Sequence, residues 1–218
     1  MDFLRLFGEL LNIWPRLLAG LGTTLTVSAE AIALGTLVGA ILGHVMHYAP
    51  ILVRVPGWLY LDFVRGTPVL VLVLAAYYIL PLTGVGIDAQ TSAMVALAIF
   101  CSAQVTEVVR GGLSAVPAGQ DEAAKSIGLA FTQRLAYVIL PQAARQALPA
   151  WINTAIEIIK ASSLLAVIGV PEVMMVIQQT VSRNYMNAEF YLVAAVIYFC
   201  INYSLERLGK FIERRLAF

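Results

Sequence analysis

From Leu21 to Met46 the chain carries a single acid, Glu30, and no lysine or arginine. About 20 apolar residues suffice to cross a bilayer, and in hydrocarbon every backbone N–H and C=O must be satisfied within the segment, as a helix does by itself. Further apolar runs follow at about 69–80, 91–109, from 148 onward, and 190–208, the first of them preceded by an amphipathic stretch from Arg54 to Arg65. The expected fold is therefore an all-α integral membrane protein with five transmembrane helices in one domain, residues 1–218. Composition agrees: 60% of residues are hydrophobic, 12% are charged, and the mean hydropathy is +0.84, against about a quarter charged in soluble domains. A net charge of +1 provides no basic face for nucleic acid. Cys101 and Cys200 sit in apolar runs without metal-ligand spacing, so neither a disulfide nor a metal site is expected.

The amino terminus does not read as a cleavable leader, because Asp2, Arg5, Glu9 and Arg16 interrupt what would be its apolar region. Phe3, Leu6, Phe7, Leu10, Trp14 and Leu17 recur at three- and four-residue spacing, so residues 1–19 are expected to form an interfacial amphipathic helix. Within the first span Gly35, Gly39 and Gly43 clear one face for a neighbouring helix. His44 and His47 lack a companion ligand and read as interfacial residues. The kink-forming Gly66-Thr67-Pro68 is expected to act as a hinge. Pro81 to Gly86 is a turn-rich outlet followed by a lone charge, Asp88.

One long segment cannot lie in the membrane. Residues 114–141 contain Asp121, Glu122, Lys125, Gln133 and Arg134, a cost too high for hydrocarbon. Pro117 suits a first turn, the acids come early in the helix, and Gly128 is placed to stop it. A second helical run ends at Pro141. Two short helices with a glycine break make a rigid knob, and Ala123 and Ala124 leave a low surface that another protein can approach.

Polar residues also occur inside spans. Phe100, Gln104 and Glu107 share a helix face near Ser102, and Asn153, Glu157 and Lys160 share another near Thr154. Such residues face the bundle interior or a watery path; Glu157 and Lys160 can equally neutralise each other.

These residues carry a resemblance. Glu122-Ala123-Ala124, three residues, Gly128, nine residues and Val138-Ile139-Leu140-Pro141 resemble the EAA loop of ABC importer permeases, with Val138 where the pattern has isoleucine. Arg65-Gly66-Thr67-Pro68, Glu107-Val108-Val109-Arg110-Gly111-Gly112, Pro141-Gln142-Ala143 and Lys160-Ala161-Ser162-Ser163-Leu164 follow in the order seen in the polar amino-acid uptake branch. The chain is thus similar, over nearly its whole length, to type I permease subunits of the histidine/glutamine/arginine permease-like family. The resemblance implies that Gln120, Asp121, Glu122, Ala123, Ala124, Gly128 and Pro141 couple the chain to a cytoplasmic ATP-binding subunit dimer. It also implies a second permease copy or sister permease, and an extracytoplasmic binding protein that delivers an amino acid. The pocket positions of cationic amino-acid permeases fall at Phe100 and Thr154, neither charged, so the expected substrate is an amino acid whose side chain is not a lone cation. Ser102, Gln104, Glu107, Glu157 and Lys160 complete the expected substrate path.

Arg54, Arg65, Arg110, Lys125, Arg134, Arg145, Arg207, Lys210, Arg214 and Arg215 fall on one side, and Arg5, Arg16 and Arg183 on the other. The positive-inside rule then puts the loop and the carboxyl terminus in the cytoplasm and the amino terminus outside, in a bacterial inner membrane. No phosphate-binding loop is present, since the one Gly-Lys pair, Gly209-Lys210, precedes Phe211. The chain should therefore need no cofactor of its own, with ATP and Mg held by the partner ATPase. An ion-coupled secondary transporter or channel using Glu30, Glu107, Glu157 and Lys160 is the alternative, but it leaves the polar loop unexplained.

Overall fold

The computed structural model describes residues 3–84 and 86–216. Asp2 and Val85, which entered the sequence reading, lie outside them, as does the Phe3 side chain. Nine α-helices account for most of the described chain: α1 (Phe3–Tyr48), α2 (Ile51–Gly66), α3 (Val69–Ile79), α4 (Ala89–Ser114), α5 (Ala118–Ser126), α6 (Phe131–Arg134), α7 (Leu140–Ala161), α8 (Val173–Asn184) and α9 (Asn187–Leu216). Short 3₁₀ turns follow α3 and α7, and a π turn at Leu135–Ile139 joins α6 to α7.

The interfacial segment expected at residues 1–19 is not separate from the first span. One helix of 46 residues runs through both, about 69 Å at 1.5 Å per residue. Pro15 does not break it. Ile13 and Leu17, on either side, are buried in an apolar cluster with Val173 and Ile177 of α8, Phe190 of α9 and Met186 between those helices, which supports the helix on both sides of the proline.

The centre of the bundle is α4, whose small and apolar residues are buried along most of its length. Asp88 caps it, its Oδ1 accepting the Thr91 amide at 2.8 Å. Val27 and Ala31 of α1, Val73 of α3, Leu97, Phe100 and Cys101 of α4 and Ile158 of α7 form one core. The glycine stripe of α1 lies against α4: a Cβ at Gly39 would stand 2.6 Å from the Ser102 carbonyl oxygen and 2.7 Å from Val105 Cβ. The two backbones therefore touch, as small-residue faces allow. Polar cross-ties sit nearby, with Tyr60 Oη 2.5 Å from Ser102 Oγ and Trp151 Nε1 donating to Thr36 Oγ1 at 2.9 Å.

Among the described residues, four helical stretches are long and apolar enough to cross a bilayer: Leu4–Tyr48, Ala89–Ser114, Phe131–Ile168 and Asn187–Arg215. Where the sequence predicts the remaining span, α2 and α3 form a bent pair, turning by 106° across Thr67 and Pro68. Pro68 has no N–H to continue α2, and its ring disfavours helical backbone at Thr67, which is extended at φ −97°, ψ 132°.

At the end away from the polar loop, Glu172 joins three helices. Its buried carboxylate caps α8 by accepting the Met174 and Met175 amides at 2.9 and 2.8 Å, and it accepts the Tyr198 hydroxyl of α9 at 2.6 Å. The Val173 amide donates to Thr24 Oγ1 of α1 at 3.3 Å.

Candidate functional site

The loop of residues 114–141 stands at one end of the bundle. Its first helix, α5, starts after Pro117 and is closed by Gly128 in the left-handed region, at φ +82°. The Leu129 amide returns to the Ala124 carbonyl at 3.2 Å and the Gly128 amide to the Lys125 carbonyl at 2.9 Å, a paired closure that satisfies the last carbonyls of the helix. Nothing lies within 4 Å of a Cβ built at Gly128, so the glycine is required by its backbone and not by space.

Asp121 braces this helix from both sides. Its Oδ2 meets Lys125 Nζ at 2.7 Å, and its Oδ1 accepts from Arg134 Nε at 2.7 Å across the glycine turn. Lys125 first, then Arg134, holds the Asp121 carboxyl below the ordinary carboxylate range. Arg134 also donates through Nη1 to the Leu129 carbonyl at 3.2 Å, and Gln133 Oε1 accepts the Ala130 amide at 2.9 Å. The sequence reading treated Arg134 only as a charge excluded from the membrane. Its role as a strut depends on a contact across 13 positions, which helical spacing does not reveal.

The exposed face of α5 carries Gln120, Glu122 and Ala123, and Ile127 at its tip is 76% exposed. Ala124 departs from the expected low docking surface: it is buried, because it lies on the face of α5 turned toward the bundle. The second helical run also differs from expectation. It does not end at Pro141 but continues into α7, because the π turn just before Pro141 widens the helix where the proline ring would meet the carbonyl four residues back. Gln142 Nε2 ties the two arms by donating to Gln120 Oε1 at 3.3 Å and to the Val138 carbonyl at 2.8 Å. Tyr48 of α1 packs edge-on against Phe131 with centroids 5.5 Å apart. A cavity of about 260 Å³ lies between the end of α1 and the loop, lined by Tyr48, Pro117, Asp121 and Phe131 among others.

Next to the bend, Arg110 donates to both oxygens of Glu107, at 3.0 and 2.7 Å, and lies over Trp58 of α2 at 5.3 Å. Arg65, immediately before Gly66, reaches Glu107 at 4.0 Å. Glu107, expected in the substrate path, has two arginine partners that join the α2 end of the bend to α4. Thr67 Oγ1 donates to the Phe63 carbonyl at 2.7 Å.

The other path candidates are spread through the bundle. Phe100 is buried in the core, Ser102 is tied to Tyr60, and Gln104 is half-buried. Thr154 is buried, its hydroxyl donating to the Ala150 carbonyl at 3.1 Å. Glu157 and Lys160, with Asn153, are exposed on α7, and among the described residues no ion pair joins them. Mutual neutralisation is therefore not realised. An exposed charged stripe inside a span calls for something other than lipid against it.

Residues 35–218 match the family described as the binding-protein-dependent transport system inner membrane component. A probable glutamine ABC transporter permease protein, GlnP of Bacillus subtilis (strain 168), is 34% identical over 99% of both chains. A probable amino-acid ABC transporter permease protein of the same organism, YckA, is 35% identical over 94% of this chain and 90% of its own. Among solved structures, an amino acid ABC transporter with histidines is 34% identical, with a TM-score of 0.89 and 99% of both chains covered. The inward-facing MetNI methionine ABC transporter, 19% identical, shares the fold at a TM-score of 0.83 over 95% of this chain and 99% of its own. This chain therefore belongs to the inner membrane components of binding-protein-dependent transport systems: it is a permease subunit, a transport component and not an enzyme, whose ATPase activity lies in a separate subunit.

Proposed function

We propose that this permease serves an amino-acid importer in which α5 docks on a cytoplasmic ATP-binding subunit and transmits its closure to the spans. The observation that carries the reading is the geometry of α5, an exposed helix fixed at both ends by Gly128 and by the Asp121–Arg134 contact, standing between two spans. A rigid projection transmits displacement; a loose one absorbs it. ATP and Mg belong to the partner, and this chain contributes no cofactor site.

The named relatives and the solved amino acid transporter support an amino acid as the cargo, and uncharged Phe100 and Thr154 support one whose side chain is not a lone cation. A second copy or sister permease covers the charged stripe of α7, so the path lies between two subunits, and a binding protein delivers the substrate from outside. The bent pair α2–α3 counts as the fifth span, with Gly66, Thr67 and Pro68 as its hinge. The distribution of lysine and arginine supports a cytoplasmic loop and carboxyl terminus and an external amino terminus. Alternating access then consists of rocking the paired spans around a site near mid-membrane.

The test is reconstitution of the permease in vesicles with its ATP-binding subunit and binding protein. Glutamine, glutamate, lysine and arginine are compared for stimulation of ATP hydrolysis and for uptake, with Gly128→Val beside the unmodified chain. The reading expects uptake that requires ATP and the binding protein, with lysine and arginine the weaker competitors. Uptake driven by an ion gradient without ATP would refute it.

A further inference from the structure

The grooves on the outside of the bundle are not equivalent. One of about 590 Å³ runs between α1, α7 and α9, lined by Leu25, Ile32, Ile152, Ile159, Leu208 and Ile212 among others, a volume within the range of small-ligand clefts. Its floor is a close approach, because a Cβ at Gly209 would stand 2.7 Å from Ile152 Cδ1. On α7 the exposed stripe of Asn153, Glu157 and Lys160 centres roughly 130° around the helix from groove residues Ile152, Ala155 and Ile159, at 3.6 residues per turn. Since a charged stripe within a span is turned away from hydrocarbon, the groove is the side of α7 turned toward it.

Two arginines stand beyond the loop end of the groove, by helix register. The contact of Gly209 with Ile152 fixes the register of two antiparallel helices. Arg145 precedes Ile152 by two turns on the same stripe of α7, and Arg215 follows Leu208 by two turns on the same stripe of α9. At 1.5 Å per residue both stand about 10 Å from the contact, toward the end that carries the coupling loop. Both are exposed. The Arg215 guanidinium lies 5.2 Å from the centre of the Phe211 ring, and a stacked guanidinium keeps the planar donor fork that matches a phosphate.

We propose that this groove binds one anionic phospholipid from the leaflet at the coupling-loop end. An acyl chain lies along Ile32, Ile152, Leu208 and Ile212, and Arg145 and Arg215 hold the phosphodiester. The apolar slot supplies most of the hold, as burial of methylenes does generally, and the two arginines supply the preference for a negative head group. The charge complement selects this occupant over a zwitterionic lipid, and the turn of the groove away from the charged stripe selects it over a second permease copy.

The experiment uses the assembled transporter in nanodiscs of equal phosphatidylglycerol and phosphatidylcholine, extracted into detergent and examined by native mass spectrometry for retained lipid. Phosphatidylglycerol is expected to be retained in preference to phosphatidylcholine. Each arginine is expected to contribute about fivefold, so the Arg145→Gln/Arg215→Gln protein should lose about 25-fold of that preference, while Arg145→Lys/Arg215→Lys keeps most of it. Ala33→Trp, which fills the groove and leaves both arginines in place, should also lose the lipid. Arg207→Gln, on the opposite side of α9, should not. Equal retention of the two lipids, or an unchanged preference in the Arg145→Gln/Arg215→Gln protein, would overturn the proposal. So would a disulfide between two copies carrying Ala33→Cys and Cys200→Ser, which would put protein where the lipid is placed.

Discussion

Arg134 Nε meets Asp121 Oδ1 at 2.7 Å across the turn closed by Gly128, so a charged side-chain contact braces the two arms of the coupling loop beside the Gln142–Gln120 hydrogen bond. Arg134→Gln is expected to leave membrane insertion intact and to lower coupled uptake several-fold, with ATP hydrolysis losing its dependence on substrate. The same contact sets a pH dependence. The Asp121 carboxyl titrates below its ordinary value in the folded loop, so the brace is complete above about pH 4, the unfolded range for aspartate, and is lost as pH falls through the depressed folded value. Amide protection of Leu129, corrected for intrinsic exchange, should fall over that acidic window. Protection that stays flat while the carboxyl titrates would show that the brace does not hold the loop.

At Gly128 the backbone conformation and the surrounding space make different demands. Left-handed backbone costs an ordinary L residue about 1–2 kcal/mol, asparagine is among the residues that visit it routinely, and no atom stands near the missing Cβ. Gly128→Val should abolish ATPase docking without loss of membrane insertion, whereas Gly128→Asn should keep most activity. Co-purification of the ATP-binding subunit measures both, and equal docking by the two variants would remove the backbone argument.

Gly39 makes the opposite case, because its constraint is space. Its Cβ position lies 2.6 Å from a carbonyl oxygen of α4, which a backbone cannot yield without parting the helices. Gly39→Ala is expected to destabilise the bundle by about 1–3 kcal/mol, the usual cost of overpacking. Gly22→Ala, with open space around it, should be neutral. Thermal unfolding in detergent distinguishes the two.

Much of this was legible in the sequence and some was not. Glycine at every fourth residue announces a close helix contact because the period is local, and the turn at Gly128 was readable because helix ends have their own chemistry. The continuity of α1 through Pro15 was not readable, since what packs against it there is a cluster contributed by residues more than 150 positions later. Ala124 looked like docking surface because a three-letter motif does not say which face of a short helix is turned inward. The Arg65 partner of Glu107 was not readable, because the two are brought together only by the sharp bend.

That bend can be tested directly. Pro68→Ala restores an N–H able to extend α2 by one more bond, and spin labels on α2 and α3 should report an opening of the angle with slower uptake. An opened angle with unchanged uptake would make the bend a static feature and not a hinge.

Glu157 and Lys160 lie on one stripe without an ion pair between them. A double-mutant cycle with Glu157→Gln and Lys160→Met should show nearly additive effects on uptake, within about 0.5 kcal/mol, as for uncoupled sites. Strong coupling would mean that the two do pair in the assembled transporter.

Glu172 bears on the order in which the protein is made. Its carboxylate caps α8, yet the hydroxyl that completes its shell belongs to Tyr198 of α9, which is synthesised after α8, and the neighbouring Val173 amide needs Thr24 of α1. Until α9 emerges, the carboxyl group at this junction lacks one of its partners, and an unsatisfied buried polar group is costly enough to keep the segment unsettled. The amino-terminal and carboxy-terminal helices are thus fastened in one late event, and a nascent chain arrested before residue 198 would carry an unfinished outer end, open to quality-control proteases in a way that the completed permease is not.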